Sequence, residues 1–186
     1  NDAHGVLLDA LDDDEGDNRV AALGALPAFA LKRHDGLIQC LSDRLLDEDP
    51  RVEDAARDCL LKVAPVFPSG CEEILRRELR NQRKDCRTNA FEALRLTAEN
   101  WPEAGCLHLD ELIREEDKDL RRRGSKILRT IASKAGATGW DLIGWSLEDE
   151  DALVRRYASN TLITLANKEP AIATIFIESA MLDDDD

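Results

Sequence analysis

Hydrophobic and polar positions recur along this chain every 34 residues, in five copies that stay in register without a gap. One small residue returns as Ala22, Ala56, Ala90, Gly124 and Ala158. A leucine follows four positions later each time, as Leu26, Leu60, Leu94, Leu128 and Leu162. A second small site repeats as Ala30, Ala64, Ala98, Ala132 and Ala166. Earlier in each copy the pair Leu7/Leu11 comes back as Leu41/Leu45, Leu75/Leu79, Leu109/Ile113 and Ile143/Leu147. A four-residue spacing places such pairs on one helix face. A fixed period of this length describes an array whose units bury their apolar faces against neighbours.

Each copy predicts two helices. A short first helix, A, carries the leucine pair, as from Gly36 to Leu46 or from Gly105 to Ile113. An acidic turn follows, reading Asp12-Asp13-Asp14-Glu15, Asp47-Glu48-Asp49-Pro50, Glu115-Glu116-Asp117 and Glu148-Asp149-Glu150-Asp151. Acids there accept hydrogen bonds from the free amides of the next helix, and Pro50 suits a first helical position. A longer second helix, B, starts near positions 18, 52, 86, 120 and 154 and is expected to end near Pro68, Pro102, Gly136 and Pro170. Pro27 and Pro65 fall inside predicted B helices and are expected to kink or shorten them. The fold class is therefore all-α: a right-handed solenoid of about five helix pairs, with units 1–34, 35–68, 69–102, 103–136 and 137–170. A half unit, 171–182, carries Ile177 and Met181 at the places of helix A, and 183–186 is an acidic tail. The chain opens at Asn1 and closes one helix into a sixth copy, as a piece of a longer protein would.

Composition narrows the picture. Aromatic residues are 4% and hydrophobic residues 43%, which favours helices packed through small and unbranched side chains over a β-sandwich. The net charge of -14 sets the bulk field against nucleic acid and anionic membrane. Five cysteines, Cys40, Cys59, Cys71, Cys86 and Cys106, make an odd set with no C-x-x-C pair, and read as core filling in a reducing, cytoplasmic setting. No signal peptide or membrane-length apolar run is present.

Tetratricopeptide units also run 34 residues, but they want glycine and tyrosine where this chain has Ala10, Arg44, Glu78, Leu112 and Ser146, then Asp13, Asp47, Asn81, Glu115 and Asp149. What recurs instead is an acidic turn followed by apolar-Arg-x-x-small-x-x-x-Leu, as in Leu120-Arg121 to Leu128 and Val154-Arg155 to Leu162. Over essentially its whole length the chain resembles the HEAT repeat family, including the short units of phycobilisome lyases. That resemblance implies a charge ladder between adjacent units, with Asp13, Asp47, Glu115 and Asp149 on one side and Arg19, Arg87, Arg121 and Arg155 on the other. Glu53 and Asn81 depart from it, so the ladder is expected to be weakest there.

Enzyme chemistry runs short of residues. None of His4, His34 and His108 is followed by glutamate, so the pairs of iron-binding HEAT-type hydroxylases are missing. No phosphate-binding glycine loop or nucleophile elbow appears, and Asp12 to Asp17 lacks the offsets of a calcium loop. No cofactor or metal is expected. Units 69–102 and 103–136 each carry a net charge of +1, so the acidity lies at the two ends. On helix B the positions facing away from the core read Thr88, Glu92, Arg95, Glu99, then Arg122, Lys126, Arg129, Ser133, then Arg156, Asn160, Ile163, Asn167. In HEAT-like arrays helix B lines the concave, binding side. The leading reading is a non-enzymatic scaffold or adaptor that binds a protein with an acidic surface through Arg95, Arg122, Lys126, Arg129 and Arg156. Charge reversal at Arg122, Lys126 and Arg129 is then expected to cost binding and spare folding. The alternative is a bilin lyase-like or DNA glycosylase-like enzyme. Nucleic acid is disfavoured because Tyr157 is the sole aromatic near the stripe. Trp145 stands where other copies have Asp9, Asp43, Arg77 and Glu111, so it is either covered by the terminal helix or anchors a partner.

Overall fold

The computed structural model describes residues 3–30, 35–132 and 134–168, together with Pro170, Ala171, Ala173, Thr174 and Glu178. Among the described residues there are ten α-helices and no strand. By contacts the chain divides into two compact units, Asn1–Trp101 and Pro102–Asp186. The first holds α1 (Ala3–Leu11), α2 (Gly16–Ala30), α3 (Asp35–Arg44), α4 (Pro50–Val63), α5 (Pro68–Leu79) and α6 (Lys84–Asn100). The second holds α7 (Pro102–Ile113), α8 (Lys118–Ile131), α9 (Gly136–Leu147) and α10 (Ala152–Ala166).

Each unit has two layers. In the first, the A helices α1, α3 and α5 pack in sequence, as do the B helices α2, α4 and α6, and every A helix lies against its own B helix. In the second, α7 packs on α9 and α8 on α10, with α7 against α8 and α9 against α10. The small repeating sites are where these layers meet: Ala22, Ala56, Ala90, Gly124 and Ala158 are all buried. Leu26, Leu60, Leu94 and Leu128 are fully covered beside them, while Leu162 is partly buried. Gly124 is smaller than its counterparts because α7 comes close, and a Cβ there would sit 3.1 Å from Leu112 Cβ.

Helix boundaries correct one expectation. Pro68, Pro102 and Gly136 do not end B helices; they are the first residues of α5, α7 and α9. Proline lacks the amide that the first helical turn leaves unpaired, so the residue type that stops a helix also starts one. Gly136 has φ of +56°, a left-handed conformation that suits glycine. The B helices begin two residues before the expected positions. Pro27 lies inside α2, whereas Pro65 falls beyond the end of α4. Of the predicted half unit 171–182 only Ala171, Ala173, Thr174 and Glu178 are described; Ile177 and Met181, the tail 183–186, His34 and Ser133 lie outside the described residues.

Candidate functional site

The turns are built by carboxylates with two separate jobs. The first acid folds the turn back on itself: Asp13, Asp47 and Asp149 accept from the amides of Glu15, Asp49 and Asp151 at 2.8, 3.0 and 2.7 Å. An acid two positions later caps helix B, as Asp49 accepts from Arg51 N, Asp117 from Asp119 N, and Asp151 from Leu153 N and Val154 N. The arginine inside helix B then locks the turn. Arg19, Arg87, Arg121 and Arg155 each donate through one terminal nitrogen to two carbonyls of their own turn, at 2.6 to 3.0 Å.

In Arg19 and Arg121 the remaining nitrogens also reach the next turn. Arg19 donates to both oxygens of Asp47 at 2.9 and 3.1 Å, with side-chain exposures of 9% and 3%. Arg121 meets Asp149 at 2.8 Å, with 7% exposure on each side, and also Glu150. Burial opposes ionisation of Asp47, but hydrogen bonds from Arg19 and the Asp49 amide hold its pKa below the ordinary carboxylate value. Among the described residues Asp13 receives no guanidinium on its side chain; Arg19 takes its carbonyl instead. Where the sequence pattern breaks, the ladder is inverted. Glu53, in the place of an arginine, accepts from Arg83 at 2.6 and 2.8 Å, and Arg83 occupies the capping position of α6, which has no side-chain cap. Asn81 holds its turn through the Arg83 amide and donates to the buried Glu78.

The expected basic stripe divides between the two units. Arg95, in the first, is held by Glu92 and Glu99 on its own helix. In the second unit, Arg122 donates to both Asp151 oxygens at 3.0 and 2.7 Å, and that hydrogen bond drives the Asp151 pKa far below the usual range. Lys126, Arg129 and Arg156 are exposed and have no carboxylate partner among the described residues. The Tyr157 ring lies beneath two of them, 5.4 Å from the Lys126 ammonium and 6.0 Å from the Arg156 guanidinium. Arg129 borders a recess of about 150 Å³ with Thr161, Thr164, Leu165 and Lys168, and Lys168 is a cation that sequence reasoning did not single out.

Trp145 lies on α9, an A helix, and is 55% exposed, with the Arg114 guanidinium 4.4 Å from its ring centre. It borders a groove of about 680 Å³ between α7 and α9. A signal for this groove was in the sequence: Leu107 occupies a position where other copies carry Gly5, Gln39, Glu73 and Asp141. The cysteines are not activated. Burial pushes Cys59 and Cys71 to about 12 and Cys106 to about 11, and raises Cys40 and Cys86. Among the described residues no His/Cys/Asp/Glu cluster could hold a metal ion, and no helix is long and apolar enough to cross a membrane.

No family model and no curated protein matches the sequence. Solved structures match the fold. The third TOG domain of Drosophila melanogaster Mini spindles aligns over 93% of this chain and 86% of its own, with TM-score 0.67 and 18% identity. The CEP104 TOG domain aligns over 92% and 82%, with TM-score 0.57 and 15% identity. A structure described as "TOG-tubulin binding specificity promotes microtubule dynamics and mitotic spindle formation" aligns over 95% and 81%, with TM-score 0.60 and 14% identity. TOG domains are HEAT-like α solenoids, and this chain has that all-α fold.

Proposed function

We propose that this protein is a non-enzymatic binding scaffold that docks an acidic surface of a partner protein on the helix-B face of α8 and α10. The observation that carries the reading is the set Lys126, Arg129 and Arg156: exposed cations without carboxylate partners among the described residues, on a chain of net charge -14. Unpaired cations attract an acidic surface over roughly 8 to 10 Å at physiological ionic strength and speed its encounter. Tyr157 favours the cation heads through its ring face, which limits the freedom lost on docking. Arg95 and Arg122 contribute less, since each already serves a carboxylate of this chain. The neighbour described by TOG-tubulin binding supports a protein-binding role for this fold and makes tubulin the first purified partner to try.

The test compares the wild type with Lys126→Glu/Arg129→Glu/Arg156→Glu, immobilised and presented to purified tubulin and to cell extract. A protein retained by the wild type, released by salt and lost from the variant at unchanged helicity and melting temperature is the expected result. Equal retention by both proteins overturns this face as the docking surface. Salt-steep binding of duplex DNA with no retained protein would instead favour the glycosylase-like alternative.

A further inference from the structure

The repeat produces the same groove twice, and the two copies differ where it matters. In the first unit a groove of about 380 Å³ between α3 and α5 is bordered by Gln39, Ser42, Glu73 and Arg77. Adding two periods gives Leu107, Asp110, Asp141 and Trp145, which border the larger groove between α7 and α9. In the first groove Arg77 crosses to α3 and donates to Ser42 Oγ at 2.8 Å and to its carbonyl at 3.2 Å. In the second, the bridging arginine has become Trp145 and the polar Gln39 has become Leu107, 55% and 62% exposed. Packing does not demand either change, because the same helix pair is built with polar residues there in the first unit.

Charge around the second groove has one dominant sign. Glu103 and Asp141 have no ion pair among the described residues, and Asp110 shares Arg114 at 2.9 Å. We propose that the groove between α7 and α9 docks a basic amphipathic helix of a partner protein, its apolar side on Leu107 and Trp145 and its cations toward Glu103, Asp110 and Asp141. The volume falls in the range of roughly 300 to 1,000 Å³ typical of binding clefts, and helix-in-groove recognition uses such apolar anchors at three-and-four spacing. Tryptophan is among the residue types enriched where a few side chains dominate such contacts. Burial raises the Cys106 thiol on the groove wall, and the Glu103 charge raises it further, as expected where negative potential is focused. This surface is independent of the basic face, and either can fail alone.

The experiment is fluorescence anisotropy with a labelled synthetic helix of leucines and lysines at three-and-four spacing, against a counterpart with glutamate for lysine. The wild type is expected to bind the lysine helix at about micromolar Kd and to ignore the glutamate one. Leu107→Gln/Trp145→Arg installs residues that the α3/α5 groove already carries, and is expected to weaken binding roughly tenfold or more. Glu103→Gln/Asp141→Asn, nearly isosteric, is expected to weaken binding and flatten its salt dependence, and it decides the matter if the first variant loses helicity. Equal binding of both helices, or wild-type affinity in the folded variants, overturns the proposal. So does self-association that Leu107→Gln/Trp145→Arg abolishes while the lysine helix does not bind, since the occupant is then a second copy of this chain.

Discussion

Asp151 accepts hydrogen bonds from the Leu153 and Val154 amides and from two Arg122 nitrogens, so a single carboxylate caps α10 and ties it to α8. Arg122 is therefore a structural residue that happens to point away from the core. Its charge reversal is expected to lower the melting temperature, measured by circular dichroism, whereas Lys126→Glu and Arg129→Glu leave it unchanged. This revises the expectation, drawn from face assignment alone, that reversing all three spares folding. A helical wheel shows which way a side chain points but not which loop comes to meet it. Asp13, Asp47, Asp49, Asp85 and Asp151 all have folded-state pKa values lowered by hydrogen bonds. With unfolded values near 3.9, their stabilisation is complete above that pH and lost as pH falls through the lowered folded values. Melting temperature should hold steady from about pH 7 to 5 and drop below about pH 4. Asp151→Asn should show a smaller drop. At the small sites, Ala90 is fully buried and Ala21 exposed. Ala90→Leu is expected to cost about 1–3 kcal/mol in urea unfolding, and Ala21→Leu no more than about 0.5.

At the scale of elements, the inverted pair Glu53–Arg83 makes the α4–α6 junction different from the others. Glu53→Arg places a cation against Arg57 and Arg83 and is expected to destabilise, while adding Arg83→Asp should recover part of the loss. A double-mutant cycle by urea unfolding should return a coupling of about 0.5–3 kcal/mol. The recurring acids and arginines were visible in the sequence because the period repeats them, and their pairing, 28 positions apart in Arg19–Asp47 and Arg121–Asp149, was what the HEAT resemblance implied. The reversed pair was not, because its members are 30 positions apart and each reads singly as a break in the pattern. Helix ends were misplaced for a related reason: proline restricts φ whether it follows one helix or opens the next.

For the molecule as a whole, the all-α architecture and its buried small sites were legible because one pattern repeated five times leaves little freedom in phase. The surfaces were not, since both the neutralisation of Arg122 by Asp151 and the groove beside Trp145 depend on side chains from separate elements. Units that share one apolar pattern also bring a hazard, in that a helix can dock on the wrong neighbour while burying equivalent leucines. The Glu53–Arg83 reversal acts against that error. Displaced by any whole number of periods, Glu53 would face Glu15, Asp49, Asp117 or Asp151, carboxylate against carboxylate, in place of Arg83. An otherwise interchangeable junction thereby acquires an address, and a chain misregistered by one repeat is penalised at the place where its apolar contacts alone would not detect the mistake.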